Sequence, residues 1–99
     1  MEIIKTLNNG ELTLKVVGEL NTTTYQQLEE VVSNSLNGVT TLIYDFSQLE
    51  YISSAGLRVL LISKKTMDKQ GKMIVRKANK SVMEIFEITG FANVLDFED

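Results

Sequence analysis

Residues 53–70 constrain the fold more than any other stretch of this chain. They read SSAGLRVLLISKKTMDKQ and are followed by Gly71, which stops a helix. The central block Val59-Leu60-Leu61-Ile62 is apolar almost all the way round. A helix with that pattern has to be buried on most of its circumference, against a sheet and against a neighbouring helix. The spacing therefore predicts a helix over 55–70 inside a layered α/β domain.

The rest of the chain supplies the layers. Residues 1–7 alternate weakly and lead into Asn9-Gly10, the strongest short hairpin signal, because both central residues of a tight hairpin turn need positive φ. Leu12, Leu14 and Val16 alternate with Thr13 and Lys15, the pattern of a half-buried strand, and Gly18-Glu19-Leu20 ends it. Asn21 then reads as the N-cap of a helix carrying Tyr25, Leu28, Val31, Val32 and Leu36, closed by Asn37-Gly38. Residues 40–46 are nearly continuously apolar, with β-branched and aromatic side chains. That composition predicts a strand covered on both faces. A loop starting at Asp45 connects it to the helix at 55–70. Residues 72–76 form a further strand of the parallel type. Residues 81–88 form a helix turning Val82, Met83, Ile85 and Phe86 inward, Gly90 caps it, and 94–97 make a last edge strand. Met67, Met73 and Met83 read as gap fillers in the core. The expectation is one α/β domain over residues 1–99. An N-terminal β-hairpin is followed by β-α repeats, and right-handed crossovers build a mixed, mainly parallel sheet with packed helices.

Composition removes whole classes of chemistry. The chain has neither cysteine nor histidine, which excludes disulfides, thiolate nucleophiles, conventional serine triads and the commonest zinc sites. No metal, cofactor or catalytic residue is expected. No apolar run is long enough to span a bilayer, and the N-terminus lacks a signal-peptide layout. The expected compartment is the cytoplasm, with no membrane partner. No long exposed apolar stripe is evident, so a monomer is expected. Charge is unevenly spread: Lys5 and Lys15 are the basic residues before Arg58, whereas from Arg58 to Lys80 eight cations face Asp68 alone. The net charge is nevertheless -3, and the basic stretch holds no aromatic residue to stack on bases, so nucleic acid is not an expected partner. The stretch reads as a solvated helix face and strand edge, with docking of an acidic protein as the alternative.

Chemistry concentrates in 45–61, DFSQLEYISSAGLRVLL, which runs from a strand end into a helix start. Ser53 and Ser54 arrive where a helix has unpaired N–H groups, and either can cap it. A phosphate there would meet the positive end of the helix dipole. It would add about -1.5 to -2 charges to a small spot, enough to reverse a protein–protein contact. Ala55 and Gly56 are small enough to let another backbone approach.

Taken together, Gly18-Glu19-Leu20, Asp45-Phe46-Ser47, residues 51–60 (YISSAGLRVL), Gly71-Lys72-Met73 and Thr89-Gly90-Phe91 resemble the STAS domain. More narrowly, they resemble the stand-alone bacterial anti-sigma factor antagonists. The likeness runs over essentially the whole chain, and Ser-Ser-Ala-Gly-Leu is its most specific part. It implies a STAS-like fold and a partner switch. The unmodified domain binds an anti-sigma factor serine kinase and so frees a sigma factor. Phosphorylation of one serine dissolves the complex, and a serine phosphatase resets it. By position in the motif, two residues before Gly56, the implied phosphoacceptor is Ser54, with Ser53 the alternate. The implied partner surface comprises Asn21, Ser53, Ser54, Ala55, Gly56 and Arg58. Many members carry Asp where this chain has Ser53 and Asn21, so the site is less acidic before modification.

Other classes fit less well. A response-regulator receiver would use Asp45, but it also needs an acidic cluster and a lysine after the last strand. Glu19 is a single acid, and Lys77 is the only candidate lysine. A serine hydrolase would need a lysine base near Ser54, and the nearest basic residue, Arg58, stays protonated. A STAS scaffold or a regulatory subunit of a signalling or transport assembly keeps the fold and changes the role.

Overall fold

Asn9 and Gly10 both take positive φ, 51° and 82°, and fold β1 (Glu2–Asn8) back onto β2 (Glu11–Leu20). The register runs from Asn8 opposite Glu11 to Glu2 opposite Val17, as the Asn-Gly turn predicts. The computed structural model describes residues 1–98. After the hairpin come α1 (Tyr25–Ser35), β3 (Thr41–Asp45), β4 (Leu49–Ile52), α2 (Ser54–Asp68), β5 (Lys72–Arg76) and α3 (Lys80–Thr89). A 3₁₀ turn at Phe91–Asn93 and β6 (Asp96–Glu98) follow. The sheet order is β1-β2-β3-β5-β6, with β4 also paired to β2. Every pairing except the hairpin is parallel. The result is the single mixed, mainly parallel α/β layer that the sequence predicts.

β4 departs from expectation, since residues 45–53 read as a loop. Thr41–Asp45 run beside Glu11–Lys15. After a three-residue interruption, Leu49–Ile52 resume beside Gly18–Leu20 in the same parallel sense. β3 and β4 thus follow β2 almost to its end. Gly18 marks the break, with φ 104° and a register shift to Glu19. The interruption is held by Ser47 N–H donating to the Asp45 carboxylate at 2.9 Å and Gly18 N–H donating to the Gln48 carbonyl at 3.0 Å. Other corrections are smaller. The last strand begins at Asp96 rather than 94, because Val94 and Leu95 bond back to the Phe91 carbonyl in the 3₁₀ turn. Gly90 caps α3 in the left-handed region as expected, with φ 84°.

α2 sits in the interior as its apolar block requires. Leu57, Val59, Leu60, Ser63 and Met67 are buried, and α2 packs on α1, β5 and β4. Met67 and Met73 are buried in the core, with Met83 packed against it. β3 buries Leu42, Ile43 and Tyr44 in succession, so both its faces are covered. One polar pair lies fully inside: the Tyr44 and Ser63 hydroxyls are 2.7 Å apart, and Ser63 donates to the Val59 carbonyl at 2.9 Å. Ser63 has one proton and spends it on Val59, so Tyr44 donates to Ser63. Burial pushes the Tyr44 phenol above its ordinary pKa, and the bond to Ser63 offsets part of that. α2 ends at Asp68, two residues short of the expected end, and the turn after it needs Gly71 for a reason of space, since a Cβ there would lie 1.9 Å from the Thr40 carbonyl oxygen. The chain turns directly against the start of β3, with Lys72 N–H donating to that same oxygen at 3.0 Å.

Candidate partner-docking site at the start of α2

The site is built by the pairing of β2 with β4. Leu20 and Ile52 are register partners, and Ser53 N–H donates to the Leu20 carbonyl at 2.9 Å. Paired strands lie about 5 Å apart. Asn21 and Ser53, the next residues on each, therefore emerge side by side. This brings together two segments 32 positions apart in sequence.

The Asn21 side is a closed hydrogen-bonded turn rather than the helix cap expected. α1 begins at Tyr25 with Thr24 as N-cap. The Asn21 carboxamide oxygen accepts from Thr23 N–H at 2.9 Å and from the Thr23 hydroxyl at 2.8 Å. Thr24 Oγ1 accepts from Asn21 N–H at 2.8 Å and donates to the Glu19 carbonyl at 2.8 Å. The run Thr22-Thr23-Thr24 was the available signal, because hydroxyl side chains compete for backbone groups at turns. Asn21 thus keeps its place beside the serines but caps no helix.

The serines separate sharply. Ser53 is the N-cap of α2 in extended backbone geometry, yet its side chain makes no capping bond. Its Oγ is buried and has no hydrogen-bond partner. Ser54, the first residue of α2, is exposed. The expectation that either serine caps the helix fails for Ser53. Ser54 is followed by half-buried Ala55 and, one turn on, by exposed Arg58, and three residues before it Tyr51 is 46% exposed on β4 opposite Glu19. Tyr51 was not singled out from sequence; its place in the unforeseen β4 is what turns it to the surface.

Gly56 has the opposite role to the one expected. It is buried. A Cβ on it would lie 2.7 Å from Leu20 Cγ and 2.8 Å from Ile52 Cγ1. Its missing side chain lets α2 settle onto the paired ends of β2 and β4, and it does not open the surface to a partner. Asp45 ends β3 opposite Lys15, five residues before the Leu20–Ile52 pair along β2, and its Oδ1 accepts from Ser47 N–H. Burial opposes its charge, but the Ser47 bonds, Lys15 and Lys77 outweigh that and hold its carboxyl below the usual range. No group of three or more acidic side chains placed to hold a metal ion occurs among the described residues, so the acidic cluster of the receiver reading is missing from them.

The surface at Ser54 is open. Well-formed hollows among the described residues lie elsewhere. One, of about 410 Å³, lies beside Gly18, Gln48 and Asn79. Two more flank α1. An open surface suits the face of another protein better than a small molecule, which needs a concave pocket.

The STAS domain family matches residues 2–99. This chain belongs to the STAS family. It is 36% identical over 88 residues to BtrV of Bordetella bronchiseptica, assigned as an anti-sigma factor antagonist. The match takes in 87% of this chain and 76% of BtrV. Among solved structures it is similar to the anti-sigma factor antagonist SpoIIAA in its unphosphorylated form. The TM-score is 0.85 at 19% identity, covering 99% of this chain and 89% of SpoIIAA. The phosphorylated form of SpoIIAA from Bacillus gives a TM-score of 0.77 at 18% identity, covering 99% and 92%. At those identities the structures establish the fold, and the STAS architecture is the one described above. No helix among the described residues is long and apolar enough to cross a membrane.

Proposed function

We propose that this chain is an anti-sigma factor antagonist that works by partner switching. In its unmodified form it docks on an anti-sigma factor serine kinase through the surface around Ser54, and a sigma factor is released. The kinase transfers the γ-phosphoryl group of ATP to Ser54 Oγ. An O–P bond forms, the hydroxyl proton leaves to a kinase base, and ADP departs. The new dianion drives the partners apart, and a serine phosphatase hydrolyses the ester to restore the hydroxyl. The chain itself is substrate and ligand, not catalyst.

The observation that carries this reading is the asymmetry of the two serines. A kinase can reach only an exposed hydroxyl, and Ser54 is exposed while Ser53 Oγ is buried. The likeness to BtrV and the two states known for SpoIIAA support the same class of function. Energetics favour a charge switch. A phosphate forced into a desolvated contact has to lose hydration, and each 1.4 kcal/mol lost is about tenfold in affinity. No refolding is required.

The test uses the purified chain, ATP and the serine kinase of the same organism. Intact mass should rise by one phosphoryl group, mapped to Ser54. Ser54→Ala should bind the kinase and ignore ATP, and Ser54→Asp should bind weakly. Modification at another residue, or equal affinity of wild type and Ser54→Asp, would overturn the reading. Binding to a signalling or transport assembly without any phosphorylation would favour the scaffold role instead.

A further inference from the structure

The surface around Ser54 is too small to be a whole interface. A specific contact takes about 800 Å² from each partner. Here Ser53 Oγ and Gly56 are buried and Ala55 is half-buried. The contact has to continue onto a neighbouring face, and the exposed side of α2 offers one of distinct character. At 3.6 residues per turn, Ser54, Arg58, Leu61, Ile62, Lys65 and Lys69 fall within an arc of about 100°. Arg58, Ile62, Lys65 and Lys69 are exposed and Leu61 is half-buried. Ile62, 38% exposed, supplies an apolar centre. It borders a shallow groove of about 280 Å³ between α1 and α2, which Val32 and Leu36 also line.

The stripe carries three cations and no anion on a chain of net charge -3. The acid on the adjoining row, Asp68, is taken by Lys64 in an ion pair. Glu29 of α1, one turn before the groove residue Ser33, forms no ion pair among the described residues. Arg58, Lys65 and Lys69 take part in neither of the two ion pairs among the described residues. An apolar centre with a charged rim is the anatomy of a protein interface. Segregated positive charge on an acidic protein selects an acidic surface.

We infer that the exposed face of α2 from Arg58 to Lys69 is the second half of the docking surface, and that its occupant is an acidic face of the anti-sigma factor kinase surrounding an apolar contact for Ile62. The inference rests on the partner-switch reading and adds to it the chemistry of the partner. It also accounts for the power of one phosphate. Ser54 heads the stripe, so modification adds about -1.5 to -2 charges to a face of three cations. That cancels half or more of the attraction along a surface about 22 Å long.

The test reads binding of the kinase by titration calorimetry at low and at physiological salt. Lys65→Glu/Lys69→Glu lies well away from Ser54 on exposed positions. It should weaken binding about tenfold or more and flatten the salt dependence, with thermal unfolding unchanged. Ile62→Ala should weaken it several-fold at both salt concentrations. Lys5→Glu, on β1, should bind as wild type. If wild type binds and is phosphorylated while Lys65→Glu/Lys69→Glu binds equally well, this inference falls and the switch stands. If wild type neither binds nor is modified, both fall. If the double variant instead loses only binding to duplex DNA or to anionic vesicles, the stripe serves another partner and the inference is overturned.

Discussion

The starts of α2 and α3 solve the same problem in opposite ways. Both helices begin beside β4 and both have a capping-type residue in extended geometry at the N-cap. At α3, Asn79 Oδ1 accepts from Val82 N–H at 2.8 Å and its Nδ2 donates to the Leu49 carbonyl at 3.0 Å. Its side chain is fully committed to holding the helix on β4. At α2, Ser53 makes no such bond and Ser54 stands in the open. The α2 start is instead fixed by backbone and packing, through Ser53 N–H on the Leu20 carbonyl and Gly56 against Leu20 and Ile52. On the proposed function, the hydroxyl that takes the phosphate is thereby spared from structural duty.

That contrast breaks most easily at Gly56. Ala gains helix propensity, but its Cβ would press on Leu20 Cγ and Ile52 Cγ1, a branch carbon and a mid-chain methylene in a packed interior rather than flexible ends. Gly56→Ala is expected to lower unfolding stability in urea by about 1–3 kcal/mol. Stability equal to wild type would mean that packing is not what seats α2. Asn79→Ala should cost about 1–2 kcal/mol by the same measurement, from the lost cap and an abandoned Leu49 carbonyl. Ser53→Ala should move the other way. It removes a buried hydroxyl without a partner, so stability should rise by up to about 1 kcal/mol. A loss of the size seen at Asn79 would show that Ser53 caps after all. Ser54→Ala should change stability least, by no more than about 0.5 kcal/mol, because the residue is exposed.

Legibility followed the range of the forces involved. The hairpin was readable because Asn9-Gly10 sets its own backbone, and the helices because their apolar faces repeat locally. β4 was not readable. Its buried residues are Leu49 and Ile52, three apart, so no strand-like alternation marks it. It exists because Gly18–Leu20, 31 to 32 positions earlier, leave backbone groups for it to pair with. Sequence tells that Gly56 is small, and not that Leu20 and Ile52 fill the space its side chain would need.

The local sequence determined that two serines sit at the start of a helix that must be buried, and that the chain makes an α/β layer around it. Which serine faces outward was decided by tertiary structure alone. Ser53 and Ser54 are chemically identical neighbours. They differ only because the β2–β4 pairing and the seat of Gly56 on Leu20 and Ile52 fix the rotation of α2. That rotation turns one hydroxyl inward and leaves the other in solvent.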